Sequence, residues 1–368
     1  MLRPTHSCLP TSSSRSAVVA GAGGFIGGYL TAELLRRGFA HVRCVDIKPL
    51  EEWWQVQPDA ENLCLDLRET NAGRVASEGV AEVFNLAADM GGMGFIDNHR
   101  AQCMLSVLIN TNLLRGALKT GVQRFFFASS ACVYPQEKQA RVDVEPLAEE
   151  DAYPANPEDG YGWEKLFSER MCRHFHEDFG LETRIARFHN IYGPIGTWEG
   201  GREKAPAAIC RKVSEAILSS DHSILIWGDG EQRRTFTFID DCIRGILAIH
   251  ESDHAEPLNL GSDEMVSINE LVSCVEELAG VRLERRYDLS APQGVRGRSS
   301  DNSRFERCFG WSPATSLRDG LVPTYEWIHA QVTQRLAESI PAPLPNSCPA
   351  SSSSISATGR TTPAQHST

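Results

Sequence analysis

The chain has no apolar run approaching the roughly 20 residues needed to cross a bilayer, and its N-terminus lacks the hydrophobic centre of a secretory signal. A soluble, cytoplasmic protein with no membrane partner is therefore expected. A basic surplus is missing as well: 36 Lys and Arg stand against 48 Asp and Glu, a net charge of −12. Nucleic-acid binders need a basic surface to meet phosphates, which argues against a nucleic acid as main partner but leaves room for a local basic pocket. Eleven cysteines occur without a CxxC pair or a His-rich cluster beside them. An odd count with no framework spacing implies free thiols in a reducing compartment and no metal site. Most should behave as small buried hydrophobes; the neighbours of Cys132 point to something more.

What is present begins with length. The 368 residues are enough for two domains or one large α/β domain with a sizeable core. Residues 1–16, rich in Ser, Thr and Pro and free of acids, read as a disordered leader. Residues 332–368 read as a disordered tail, because 341–368 are dominated by Ser, Pro, Thr and Ala and hold few large apolar groups. Between these ends, strand and helix patterns alternate, which argues for an α/β fold with a Rossmann-like, doubly wound parallel sheet. A cofactor domain is expected over 17–190, with 228–250 returning to it, and a smaller α/β substrate domain over most of 191–331. Ser267 with Glu270 three residues later forms a capping-box pattern that opens a helix, a purely architectural feature.

The short apolar strand Ala17-Val18-Val19-Ala20 runs into Gly21-Ala22-Gly23-Gly24-Phe25-Ile26-Gly27 and then a helical stretch over 29–37. Strand, glycine turn and helix make a dinucleotide cradle: Gly21 permits the tight turn, Gly24 lets backbone approach a pyrophosphate, and Gly27 lets the helix pack closely on the strand. Phosphates then meet the positive end of that helix, beside Phe25 and Ile26. Glycine spacing alone is weak evidence; Val42-Arg43-Cys44-Val45-Asp46 strengthens it by ending a second strand in an acid suited to ribose hydroxyls. That acid favours NAD over NADP, although Lys48 keeps a 2′-phosphate in play. Asp66 closes a third strand-like run and either faces the adenine or is a loop carboxylate. Residues 82–88 form a fourth run ending at Ala87, followed by a second glycine-rich turn that includes Gly91.

Chemistry concentrates between Arg124 and Lys165. The run Phe125-Phe126-Phe127-Ala128 leads into Ser129-Ser130-Ala131-Cys132-Val133-Tyr134, where a parallel strand would end and reactive groups collect. Tyr161 and Lys165 stand four apart on a helical segment and so share a face. A cation beside a phenol favours the phenolate, which would lower the Tyr161 pKa and make it a usable base. Taken alone, that pair is more often an ordinary surface pair than a catalytic one.

Together these stretches resemble the extended short-chain dehydrogenase/reductases that modify sugar nucleotides, the NAD-dependent epimerase/dehydratase family. The resemblance covers about residues 18–331. General to the family are the glycine turn, Tyr161 with Lys165, and Arg187-Phe188-His189-Asn190-Ile191-Tyr192-Gly193-Pro194. The blocks at 87–95, 129–135, 200–208, 227–230, 238–240 and 294–302 are similar to the GDP-mannose 3,5-epimerases in particular. The resemblance implies that Tyr161, helped by Lys165, takes a proton from the sugar C4 hydroxyl while NAD accepts hydride. It further implies that Cys132 and Lys204 exchange protons at C3 and C5, and that Ser130 steadies the C4 oxygen. Dehydratases carry acids near the position of Cys132, where this chain has Ala131 and Val133; that departure counts against dehydration. For the GDP-sugar itself the implied contacts are Gly91, Ser130, Ala131, Cys132, Asn190, Glu203, Lys204, Ala205, Lys212, Gln232, Arg234 and Arg296, with Arg298 second to Arg296. A homodimer is an expectation of the resemblance alone. Open alternatives are a 4-epimerase, dehydratase or reductase on another nucleotide sugar, and a non-catalytic NAD-binding scaffold.

Overall fold

Strands of three to seven residues, most of them followed by a helix, build a parallel sheet in this chain, and a computed structural model describes residues 15–338. The chain proceeds through β1 (Ser16–Ala20), α1 (Phe25–Arg36), β2 (His41–Asp46), β3 (Glu61–Cys64), α2 (Ala72–Ser77) and β4 (Glu82–Asn85). It continues through the short helices α3 (Met93–Asn98) and α4 (Arg100–Met104), then α5 (Ser106–Thr120), β5 (Arg124–Ser130), α6 (Tyr161–Phe179) and β6 (Glu182–Phe188). Next come β7 (Ile191–Tyr192), α7 (Ala205–Ser219), β8 (Ser223–Trp227), β9 (Arg233–Thr235), β10 (Thr237–Phe238), α8 (Ile239–Glu251) and β11 (Leu258–Leu260). The last elements are β12 (Met265–Ser267), α9 (Ile268–Ala279), β13 (Glu284–Asp288), β14 (Gly297–Arg298), α10 (Ser303–Phe309) and α11 (Leu317–Glu338).

Seven strands form one sheet in the order β11-β6-β5-β4-β1-β2-β3, and every pairing in it is parallel. Alternation along the strands divides their side chains between two layers. Ala17, Val19, Phe84 and Phe126 enter the core under α1 and α8, while Val18, Ala20, Val83, Phe125 and Phe127 enter the one that includes residues of α2, α5 and α6. A separate core joins Ile209 and Val213 of α7, Ile224 and Ile226 of β8, Leu271 and Val275 of α9, and Leu321 and Ile328 of α11. The sheet is therefore covered on both faces, as an all-parallel sheet requires.

Three boundaries differ from the sequence reading. Arg15 and Ser16, read with the leader, belong to the fold: Ser16 opens β1, and the buried Arg15 guanidinium pairs with Glu82 at 2.7 Å. The tail reading fails at 332–338, which continue α11 with Val332 fully buried; the rest of the leader and tail lies outside the described residues. The return to the sheet also runs later than 228–250. Residues 233–235 and 237–238 join small sheets, whereas α8 and then β11 rejoin the large one. The reason is the spacing of Ile239, Cys242, Ile243, Ile246 and Leu247, which gives α8 one apolar face to lay on the sheet.

Candidate active site

The carboxyl ends of β1, β2, β4 and β5 open into a cavity of about 940 Å³, bounded on its far side by residues of α7, β9 and the loop before β14. This is where an open α/β sheet places ligands. At one end lies the glycine turn. Gly21 has φ +85, and a Cβ on Gly27 would stand 2.1 Å from the Gly21 carbonyl oxygen, so only glycine permits this approach. Gly24, the N-cap of α1, offers no side-chain cap; the first N–H groups of the helix are left for another acceptor. Gly21, Gly24, Phe25, Ile26, Gly27, Asp46, Asp66 and Ala87 all line this end. Lys48 also lines this end, its ammonium donating to the Gly23 carbonyl and its backbone N–H to Asp46 Oδ1 at 3.0 Å. Asp66 is gripped by Arg68 at 2.7 Å, which holds its carboxyl below the usual range.

The other end is built where β5 stops. Ser130 Oγ accepts from the Cys132 N–H at 3.2 Å, and Ser130 and Tyr161 line the same end of the cavity. Ser129 turns elsewhere, donating to Glu169 Oε1 at 2.5 Å within a buried Glu169–Arg187 pair. Gly160 with φ +67 brings the chain into α6 so that Tyr161 and Lys165 follow on one face. The Lys165 ammonium lies 5.5 Å from the Tyr161 ring centroid, 4.8 Å from that of Phe127 and 3.6 Å from Glu164 Oε2. Here an expectation is corrected. Burial, followed by Cys132 and Glu164, pushes the Tyr161 pKa well up rather than down. Desolvation penalises the phenolate, and the Lys165 charge is partly spent on Glu164.

Cys132 is 6% exposed, and Arg298 Nη1 donates to its sulfur at 3.7 Å. The guanidinium is itself fixed by Gln139 Oε1 at 2.6 Å and by an ion pair with the buried Glu158. Lys204, which also lines the cavity, stands at the N-cap position of α7 without a side-chain capping bond. Burial lowers its pKa; Cys132 partly restores it and Arg234 lowers it further. Arg234 is drawn down to about 10, again first by burial, with Cys132 opposing and Arg296 adding. Sulfur, ammonium and guanidinium thus feel one another across one desolvated space. Among the described residues no group of His, Cys, Asp or Glu is arranged to hold a metal ion.

Residues 17–261 match the model of the NAD dependent epimerase/dehydratase family. The chain belongs to this family. GDP-mannose 3,5-epimerase 1 of Oryza sativa subsp. japonica is 46% identical over 323 residues, which is 88% of this chain and 84% of that protein. GDP-mannose 3,5-epimerase of Arabidopsis thaliana is 46% identical over 321 residues, 87% of this chain and 84% of that protein. Among solved structures, UDP-glucuronic acid 4-epimerase from Bacillus cereus in complex with UDP-glucuronic acid and NAD superposes with a TM-score of 0.72 at 26% identity. That match covers 86% of this chain and 99% of that one.

In this epimerase/dehydratase-family fold the cavity brings together most of the residues singled out from sequence. Ser130, Cys132, Tyr161, Lys165, Asn190, Glu203, Lys204, Ala205, Lys212, Gln232 and Arg234 all line it. Three do not. Gly91 packs under Phe95 and Arg202, where a Cβ would meet the Phe95 Cβ at 2.9 Å. Ala131 is 2% exposed in a small core with Val133 and Tyr134. Arg296 spends its guanidinium on both oxygens of Asp229, at 2.9 and 3.0 Å, and Arg298 faces the cavity instead. Sequence reasoning passed over Glu158, Gln293, Asp89 and Arg202, which also line the cavity. A buried acid such as Glu158 leaves no trace in local pattern, because its partner lies far along the chain. The glycine cradle, its uncapped helix and Asp46 fit a dinucleotide with free ribose hydroxyls.

Proposed function

We propose that this NAD-dependent protein is a GDP-mannose 3,5-epimerase, converting GDP-α-D-mannose to GDP-β-L-galactose. The observation that carries the reading is the cavity shared by Cys132, Lys204, Tyr161 and Lys165, in a chain 46% identical to the epimerases that bear that name. The glycine turn and Asp46 would hold NAD, and bound NAD supplies reversible hydride transfer at sugar C4, so no net oxidation results. Tyr161 takes the C4 hydroxyl proton. The phenolate is the form that accepts this proton; burial opposes it, and the Lys165 charge beside the ring favours it. Ser130 donates to the C4 oxygen as it becomes a carbonyl. A C4 ketone acidifies the hydrogens at C3 and C5, because the carbanion left behind is an enolate. Cys132 removes a proton from one face and Lys204 returns one to the other; the lowered Lys204 pKa makes that ammonium a better acid. Asn190, Lys212, Gln232 and Arg234 hold the diphosphate end, with a guanidinium suited to gripping phosphate through two bonds.

The reading includes a homodimer in the cytoplasm. The nine described cysteines are all free, which suits a reducing compartment. No helix among the described residues is long and apolar enough to cross a membrane. The packed helices α5 and α6, with the end of α4, expose Met104, Leu105, Leu108, Trp163 and Phe167, an apolar patch of the kind that a second copy covers. Sedimentation returning only the monomer mass would reject the dimer.

The decisive experiment incubates the purified protein with GDP-mannose in heavy water. Deuterium is expected at both C3 and C5, with no accumulation of NADH. Cys132→Ala should cut epimer formation by about 10²-fold or more, the range of a lost general acid–base group, with NAD still bound. Exchange at neither carbon, or full turnover in Cys132→Ala, rejects the reading.

A further inference from the structure

The loop that delivers Lys204 carries two consecutive glycines in the left-handed region. Gly200 and Gly201 take φ +86 and +84 in succession, and a Cβ on either would meet nothing within 4 Å. Behind them, Glu203 is fixed to the substrate layer: its carboxylate accepts from Arg211 at 3.1 Å and from the Gly201 N–H at 2.7 Å. Across the cavity mouth the same loop is tied to the turn that follows β4. Arg202 Nη1 donates to Asp89 Oδ1 at 2.7 Å and to the Met90 carbonyl at 3.1 Å, with its guanidinium carbon 3.7 Å from the Phe95 ring centroid. Gly92 N–H donates to the Arg202 carbonyl at 3.0 Å, and a Cβ at Gly92 would stand 2.6 Å from the Glu203 carbonyl oxygen. Asp89 is held in turn by Gln102 and, through its N–H, by Ser106 at 2.9 Å.

These contacts tie the turn after β4 to the loop that ends at Lys204, and Cys132 and Lys204 line the same cavity. Cys132 follows β5, whose neighbour in the sheet is β4, and Lys204 begins α7. The Arg202–Asp89 pair joins those two bodies, two residues before Lys204 on one side and four residues beyond the end of β4 on the other. We propose that Arg202 and Asp89 are positioning residues, whose ion pair sets the ammonium of Lys204 on the sugar face opposite the thiol of Cys132. The inference rests on the reading of Lys204 as the second acid/base. Neither residue transfers a proton itself. A partly exposed ion pair of this kind contributes little to folding, yet a displacement of about 1 Å in a reacting group can cost on the order of 10²-fold in rate.

The test uses full-length Arg202→Ala, Arg202→Lys and Asp89→Asn, each incubated with GDP-mannose in heavy water beside Lys204→Ala. Recovered substrate and epimer are separated, and deuterium is measured in both. If the pair aims Lys204, Arg202→Ala and Asp89→Asn lower epimer formation tenfold or more, while deuterium entry into recovered GDP-mannose at the Cys132 face changes less than threefold. Arg202→Lys, which keeps the charge, recovers part of the loss. Epimer formation and deuterium entry falling in parallel, or neither falling, overturns the inference. Should Arg202→Ala not fold, Asp89→Asn decides, since it preserves side-chain size. Lys204→Ala separates the two levels: normal epimer formation there removes the acid/base assignment itself. Uncoupling in Lys204→Ala without uncoupling in the Arg202 and Asp89 variants removes only the positioning role.

Discussion

Phe127 and Ser130 sit on a strand with neighbours on both sides in a seven-stranded sheet, whereas Arg234 sits on a three-residue strand and Lys204 on a helix cap after a glycine pair. One wall of the cavity is thus fixed by parallel register over many residues. The other is assembled from chain ends and turns, drawn together by side chains. On the proposed reading, the cofactor, the same in every turnover, meets the rigid wall, and the choice of sugar nucleotide falls to the wall that sequence change can reshape without disturbing the sheet. The buried charges divide in the same way. Arg187 and Glu169, beneath β5, satisfy each other at 2.7 Å. Among the described residues Arg234 has no carboxylate partner in its hydrogen bonds and donates to the Arg233, Gln293 and Val295 carbonyls.

That contrast can be broken first on the loop-built wall. Among the described residues Arg234 is held by backbone oxygens alone and lines the cavity, so on the proposed reading Arg234→Met removes the charge that meets the substrate diphosphate. Truncating one partner of a buried, hydrogen-bonded charge pair costs about 2–5 kcal/mol, and each 1.4 kcal/mol is about tenfold. The KM for GDP-mannose should therefore rise by about 30-fold or more, with bound NAD unchanged on spectroscopic assay. A loss of NAD from this variant would mean that the two walls are not separable. The reciprocal change is Gly27→Ala. Its new methyl would need the Gly21 carbonyl oxygen to retreat from 2.1 Å, and overpacking of this sort costs about 1–3 kcal/mol. Retained NAD should fall by about 10- to 100-fold in dialysed protein, while substrate KM at saturating NAD holds.

The same division explains what the sequence disclosed. The glycine turn, the acid closing β2, the Tyr161/Lys165 pair and the Ser267 cap are all local patterns, each confined to a few residues and a single period. Arg298 was harder to choose over Arg296, since residues two apart have the same parity and alternation cannot separate them. The choice is made by partners elsewhere: Asp229 engages Arg296, and Gln139 with Glu158 engages Arg298. The Asp89–Arg202 pair spans 113 positions and had no local signal at all. The Tyr161 pKa went the other way from expectation because spacing reveals a neighbouring cation but not the depth of burial around it.

The smallest effect probes whether the two walls unfold together. Ser267 caps α9 with a complete capping box: its hydroxyl accepts from the Glu270 N–H at 3.0 Å, and Glu270 Oε2 accepts from the Ser267 N–H at 2.6 Å. Replacing such a cap by alanine costs about 1 kcal/mol, in a helix whose apolar face belongs to a different core from that of the glycine turn. Yet the substrate layer is no separable appendage. Between β10 and β12 the chain goes back to lay α8 on the large sheet and to add β11 to its edge. Loosening α9 must then be felt by both layers if they form one cooperative unit. Ser267→Ala should lower the melting temperature by about 2 °C, with a single transition in which NAD release and loss of helical signal coincide. Two transitions, with NAD released only in the second, would show that the loop-built wall melts first and that the returning segment does not couple the layers.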